Sequence, residues 1–260
     1  HDFRCGTGGG HGWVDLEAAI QFSCNVYFYL LGRSLGIDRI HEFALKFGLG
    51  QGTGIDLPGE VRGLVPSRKW KRETSGASWY PGETISVSIG QGPILTTPLQ
   101  LAVAVAAVAT ERMVQPHIRL PPPGKTRHGK PAMFGAEALA TIRSGMWRAV
   151  NQNGTARSAR IEGFEVVGKT GTAQTIGRAA RERLGSNGVD RFRSTGWFVG
   201  YAPRNDPQIV VAVLLEQAGS GGVVAAPAAR KVFQVFYLQN TMPDPDLPVL
   251  AQVKIPEARE

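Results

Sequence analysis

The stretch Phe164-Glu165-Val166-Val167-Gly168-Lys169-Thr170-Gly171-Thr172-Ala173-Gln174 sets apolar β-branched residues against a cation, two hydroxyls and two glycines. Val166 and Val167 suit a buried strand. Gly168 and Gly171 let another backbone or a ligand come close to that strand. Lys169, Thr170 and Thr172 then present one charge and two hydroxyls along its edge. Such an edge can take an extended peptide as an added strand, or hold a carboxylate. The same residues also describe an ordinary solvated strand end, and only the rest of the chain separates the two.

Downstream, Thr195 to Tyr201 and Ile209 to Glu216 read as two further strands. The second is an unbroken apolar run, which predicts burial on both faces. Pro227 then starts a helix carrying Val232, Phe233 and Phe236. Upstream, Asp15 is placed to cap a helix with Leu16, Ala19 and Ile20, which breaks near Ser23-Cys24-Asn25. Val26 to Leu31 reads as another apolar helical turn, and Asp38 to Phe47 as a helix capped by Asp38 and stopped by Gly48. Residues 48–93 are rich in turns. Thr97 caps and Pro98 opens a helix over Leu99 to Ala109, apolar on all sides and therefore central. A polar linker from Pro121 to Lys130 precedes an amphipathic helix marked by Leu139, Ile142, Met146 and Val150. Helices, then adjacent strands, then a closing helix predict an α+β fold, an antiparallel sheet flanked by helices. The expected division is one domain over residues 1–240, opening on a glycine-rich loop at 1–12, with a poorly ordered tail at 241–260.

Composition narrows the function classes. A chain of 260 residues with 42% hydrophobic content can bury a substantial core. No apolar window is long enough to span a bilayer. The net charge of +8 comes mostly from scattered arginines, and the densest run (Arg178, Arg181, Arg183, Arg191, Arg193) lacks the interleaved aromatics of a single-strand binding groove. Nucleic acid is not an expected partner.

Ser23-Cys24-Asn25 puts a hydroxyl and a carboxamide two residues apart at a helix break. A serine there can relay a proton and an asparagine can hydrogen-bond a substrate amide. Both residues also cap helices routinely. Cys5, His11 and Cys24 offer two thiols and an imidazole, good zinc ligands that need one more to close a tetrahedron. A Cys5–Cys24 disulfide and two free thiols remain alternatives.

Taken together, Ser-x-Asn and a later Lys-Thr-Gly are two of the three signatures of penicillin-binding proteins and serine β-lactamases. Further segments agree, among them Gly36-Ile37-Asp38, Thr53-Gly54-Ile55-Asp56-Leu57-Pro58-Gly59-Glu60, Trp79-Tyr80-Pro81-Gly82-Glu83-Thr84-Ile85-Ser86 and Ser88-Ile89-Gly90-Gln91-Gly92. So do Thr96-Thr97-Pro98-Leu99-Gln100-Leu101-Ala102, Trp197-Phe198-Val199-Gly200-Tyr201-Ala202-Pro203 and Gly221-Gly222. Over roughly residues 5–237 the chain resembles class B penicillin-binding proteins of the elongation type, the penicillin-binding protein 2 group. The third signature, Ser-x-x-Lys, is absent: none of the eight lysines has a serine three positions earlier. In the family that motif precedes Ser-x-Asn, so the nucleophilic serine and its base lysine are expected upstream of His1. The chain is then expected to be the C-terminal part of a transpeptidase domain, inactive alone.

The resemblance implies a peptidoglycan D,D-transpeptidase that cross-links stem peptides through an acyl-serine and is a target of β-lactams. It implies that Ser23 relays a proton, Asn25 holds the substrate amide and Lys169 supports the relay. It implies further that Thr170, Gly171 and Thr172 bind the substrate's carboxylate and oxyanion. No cofactor is required for this chemistry, although some members of the group carry a metal near Ser-x-Asn, with the last ligand upstream. The implied location is the periplasmic face of the inner membrane, through an anchor outside these residues, with elongation machinery, including a glycosyltransferase, as partner. Within the same fold, a β-lactamase, a penicillin sensor or a non-catalytic scaffold are the competing expectations.

Overall fold

The computed structural model describes residues 5, 10–119, 129–131, 134–174 and 193–241. Local chemistry accounts for most of its helix starts. Asp15 accepts a hydrogen bond from the Ala18 amide at 2.8 Å and opens α1 (Leu16–Phe22). After two residues α2 (Asn25–Lys46) begins. It joins the two helical runs expected from the sequence across a kink at Gly36, whose φ of 75° and ψ of 161° suit glycine alone. Asp38 lies just past the kink and pairs with Arg68 at 3.3 Å.

The turn-rich region holds two short helices that its turns concealed. α3 (Arg68–Ser75) is capped by Ser67, whose hydroxyl accepts from the Trp70 amide at 3.1 Å. α4 (Pro81–Val87) carries proline at its first position, and Glu83 folds back to accept from the Tyr80 amide at 2.8 Å. α3 has no buried residue, so no apolar period announces it. α5 (Pro98–Thr110) starts with a reciprocal cap: the Gln100 amide donates to Thr97 Oγ1 at 3.1 Å and the Thr97 amide to Gln100 Oε1 at 3.0 Å. Gln100 is fully buried, and its Nε2 also donates to the carbonyls of Gln51 and Arg62, tying the preceding loops to α5.

Two-residue strands β1 (Arg112–Met113) and β2 (Lys130–Pro131) pair antiparallel before α6 (Ala136–Asn151). A single 3₁₀ turn at Arg157–Ala159 leads to the main antiparallel sheet. Its strands β3 (Val167–Ala173), β4 (Thr195–Ala202) and β5 (Ile209–Leu215) lie in that order. α7 (Ala225–Thr241) closes the described chain, with Pro227 at its third residue rather than its first. The tail beyond Thr241, most of the 121–130 linker and all of the arginine run except Arg193 lie outside the described residues. So does His1, ahead of which the nucleophile motif is expected, together with the rest of the opening glycine-rich loop apart from Cys5 and residues 10–12.

The period of two along the strands sorts the core into two layers. Val166, Phe198, Ala202 and Val211 pack on Ala225, Ala226, Ala229 and Phe233 of α7. On the other face Val167 and Tyr201, with Val199 and Val210, meet Val105 and Val108 of α5 and Leu139 and Met146 of α6. The fold is therefore α+β, a sheet between helical layers, as expected. β5 does contact helices on both faces, yet only Val211 is buried, because β5 is the outer strand of the described ladder. β4, between the other two, carries the deeper burial.

Candidate active site

β3 forms one wall of the site. Its register with β4 pairs Lys169 with Val199, Gly171 with Trp197 and Thr172 with Gly196. The glycines serve packing as well as access. A Cβ on Gly168 would lie 2.5 Å from Phe198 Cζ, and one on Gly171 3.2 Å from Trp197 Cβ. The ladder therefore needs both glycines to hold β3 close against these aromatic residues.

From this strand Lys169 reaches the helix break. Its Nζ donates to Ser23 Oγ at 2.9 Å and to the Thr170 carbonyl at 2.8 Å. Among the described residues no carboxylate pairs with it, and burial drives its pKa down to about 8. Ser23 ends α1 in the left-handed conformation (φ 55°, ψ 51°), with its amide bonded to the Ala19 and Ile20 carbonyls. A non-glycine residue there is uncommon and strained. Asn25 is the first residue of α2. The helix break is thus a tight turn that brings Ser23 to the lysine 146 residues downstream.

The hydroxyls of β3 are also oriented. Thr170 Oγ1 lies 2.9 Å from Thr155 Oγ1 in a hydroxyl pair. Thr172 Oγ1 accepts from the Gly221 amide at 3.2 Å, which leaves its own hydrogen to donate elsewhere. The Thr172 carbonyl accepts from Gln91 Nε2 at 3.0 Å. Ser23, Asn25, Lys169, Thr170, Gly171 and Thr172 all line one open cleft of about 1270 Å³. A basic amine on a hydroxyl, beside further hydroxyl donors, suits proton relay and anion binding.

Cys5, His11 and Cys24 come together at the edge of this site. Cys5 Sγ lies 3.4 Å from His11 Nδ1 and 3.5 Å from Cys24 Sγ, and the three ligand atoms fall within 4.8 Å of one another. Both cysteines are free thiols. Burial first, then the hydrogen bond and charge of Cys5, push the Cys24 thiol up. Zn–S bonds of about 2.3 Å and Zn–N bonds of about 2.0–2.1 Å place tetrahedral neighbours roughly 3.4–3.8 Å apart, so the donor set fits zinc. Among the described residues the group has three members, one short of a closed tetrahedron.

No sequence motif gives a chemical role to Gln91, Thr155, Arg157 or Gly221, all at or beside the cleft. Gln91 and Gly221 lie in segments that carried the family resemblance, so their position was a signal. Thr155 and Arg157 sit in a turn with no motif. Residues 79–84 brace the scaffold behind the cleft, which Ile85 lines: Trp79 Nε1 donates to Thr84 Oγ1 at 2.8 Å, and Lys71 Nζ lies 4.6 Å over the Tyr80 ring.

Residues 6–234 match the model of the penicillin binding protein transpeptidase domain. The chain is 39% identical to the peptidoglycan D,D-transpeptidase MrdA of Acinetobacter baumannii, over 97% of this chain and 39% of that protein. Among solved structures it is similar to Pseudomonas aeruginosa PBP2 in complex with WCK 5153, at 39% identity and a TM-score of 0.79, covering 92% of this chain and 52% of that one. It is also similar to Helicobacter pylori PBP2 in its complex with MreC, at 30% identity and a TM-score of 0.77, covering 92% and 43%. The chain thus spans about two-fifths of the curated relative's length.

Proposed function

The chain belongs to the penicillin-binding protein transpeptidase family, and from that premise we propose that it forms the substrate-binding side of a peptidoglycan D,D-transpeptidase of cell-wall elongation. The observation that carries this is the Lys169 ammonium, 2.9 Å from Ser23 Oγ in a cleft shared with Asn25, Thr170 and Thr172. The reacting serine and its base belong upstream of His1 in this reading, since no Ser-x-x-Lys occurs from His1 onward. In the full-length protein that serine attacks the D-Ala-D-Ala carbonyl and a neighbouring lysine takes its proton. The acyl group then passes to an amine of a second stem peptide.

Within this frame Ser23 relays the proton to the leaving amine, and Lys169 holds the Ser23 hydroxyl in place and stabilises negative charge on it. Asn25 hydrogen-bonds the donor peptide. The Thr170 and Thr172 hydroxyls hold its terminal carboxylate, and the Thr172 amide, beside Gly171, supplies one oxyanion donor, worth about 2.7–4 kcal/mol. β-Lactams occupy the same cleft as substrate mimics. Such a substrate places the protein at the periplasmic face of the inner membrane. Elongation proteins are its partner class, a reading supported by the MreC complex of the Helicobacter pylori relative.

Cys5, His11 and Cys24 would hold a structural zinc ion, and the chemistry it supplies is crosslinking of the turn that carries Ser23 and Asn25. Metal content of the full-length protein, with and without Cys24→Ser, tests this: about one zinc per chain, lost in the variant, is expected, and equal content removes the idea. For the enzyme, a labelled penicillin should acylate the full-length protein and stay bound. Absence of a stable adduct breaks the transpeptidase reading, and rapid hydrolysis of the label turns it into a β-lactamase.

A further inference from the structure

The cleft has a second cation with no task in the relay. Arg157 lines it, is exposed, and has no ion pair or side-chain hydrogen bond among the described residues. No aspartate or glutamate lines the cleft among those residues either, so Lys169 and Arg157 leave it distinctly cationic. Lys169 is committed to Ser23 and the Thr170 carbonyl, whereas the guanidinium of Arg157 is committed to nothing among the described residues.

The backbone under Arg157 is firmly held. The Thr155 amide donates to the Gln21 carbonyl at 3.2 Å, the Ala156 amide to Ala149 at 3.0 Å and the Arg157 amide to Gly154 at 3.3 Å. Ala156 and Ala159, on either side, are completely buried. A Cβ on Gly154 would lie 2.4 Å from Ala149 Cα, and one on Gly222 2.7 Å from the Thr155 carbonyl oxygen, so the turn is clamped between α6 and the loop before α7. Thr155, on the same turn, already touches the Thr170 hydroxyl. An arginine on a fixed backbone, in the same cleft as the Thr155, Thr170 and Thr172 hydroxyls, can meet the planar, two-pronged geometry of a carboxylate.

We propose that Arg157 is a substrate-binding residue that pairs with a carboxylate of the bound donor peptide. The pairing rests on the transpeptidase reading above. The carboxylate has two possible sources on such a peptide, its C-terminus and an acidic side chain on the residue before the D-alanines.

The test uses the full-length protein and three donors: acyl-L-Lys-D-Ala-D-Ala, its C-terminal amide, and the counterpart with meso-diaminopimelate in place of lysine. Release of the terminal residue is followed for native protein, Arg157→Ala and Arg157→Lys. Arg157→Ala should lower kcat/KM on the order of tenfold for each donor bearing the carboxylate that Arg157 holds, as expected for loss of a charged hydrogen bond. Arg157→Lys should recover part of it, and the donor lacking that carboxylate should change less than about twofold. Loss shared by both acid donors assigns the C-terminal carboxylate, and loss confined to the diaminopimelate donor assigns the side chain. Equal loss on all three donors, or none on any, overturns the pairing. A native protein that turns over no donor breaks the transpeptidase reading itself.

Discussion

The two walls of the cleft are built by different physics. β3 is held by seven residue pairs with β4, so Lys169, Thr170 and Thr172 inherit their positions from a continuous backbone ladder. The Ser23-Cys24-Asn25 wall has no ladder. It is a turn between two helices, with Ser23 in the left-handed region and the Cys24 amide bonded to Ala19 at 2.9 Å. The strand wall therefore presents a preformed edge, while the helix wall stores strain beside the chemistry. The contact that joins them is the Lys169–Ser23 hydrogen bond.

Breaking that joint should have the largest effect. Lys169→Ala in the full-length protein should slow acylation by labelled penicillin about 10²-fold or more while the protein stays folded. A rate within a few-fold of native removes Lys169 from the relay. The ammonium exists below about pH 8, so the Lys169-dependent part of the rate should fall as pH rises through that value. Lys169→Arg, which keeps its charge, should lack this limb. The linked stability runs the other way. Burial lowers the folded-state pKa from the ordinary 10.5, so the unfolded chain binds more protons in this window. The contribution of Lys169 to stability therefore rises with pH between about 8 and 10.5, and Lys169→Met should flatten that rise in a thermal-melt series.

The strand wall is probed next by Gly168→Ala. A methyl 2.5 Å from Phe198 should overpack the β3–β4 seam and cost on the order of 1–3 kcal/mol. An unchanged Tm would show that the seam yields easily. The smallest change in stability belongs to the strained wall. Ser23→Gly relieves a left-handed residue, and after the added backbone entropy of glycine it should raise stability by at most about 1 kcal/mol. It should also slow acylation, because the relay hydroxyl is gone. A loss of stability in Ser23→Gly would mean that the turn is held by the serine side chain rather than strained by it.

Much of the site was legible because its residues come in short, chemically dense motifs. Ser23 and Asn25 belong to one triplet, and Lys169, Thr170 and Gly171 to another followed by Thr172, and helix starts such as Asp15 and Thr97 carry their own capping chemistry. Less legible were α3, which buries no residue, and α4, whose Pro81-Gly82 start reads as a turn. Thr155 and Arg157 were invisible for a different reason: a turn between a helix and a strand has no period, and only its clamp against Ala149 and Gly222 aims it at the cleft.

The sequence by itself determined the three strands of the main sheet, most of the helices, the family and the chemical character of each wall, because capping, alternation and motif spacing act over a few residues, whereas the two-residue strands β1 and β2 carry no such pattern. Tertiary structure alone decided that Lys169 meets Ser23, that the Gly221 amide orients the Thr172 hydroxyl, and that Cys5, His11 and Cys24 converge. These are contacts between segments 19 to 146 residues apart, or set by a loop folding back, and their geometry follows from sheet register and helix packing, which no local pattern encodes.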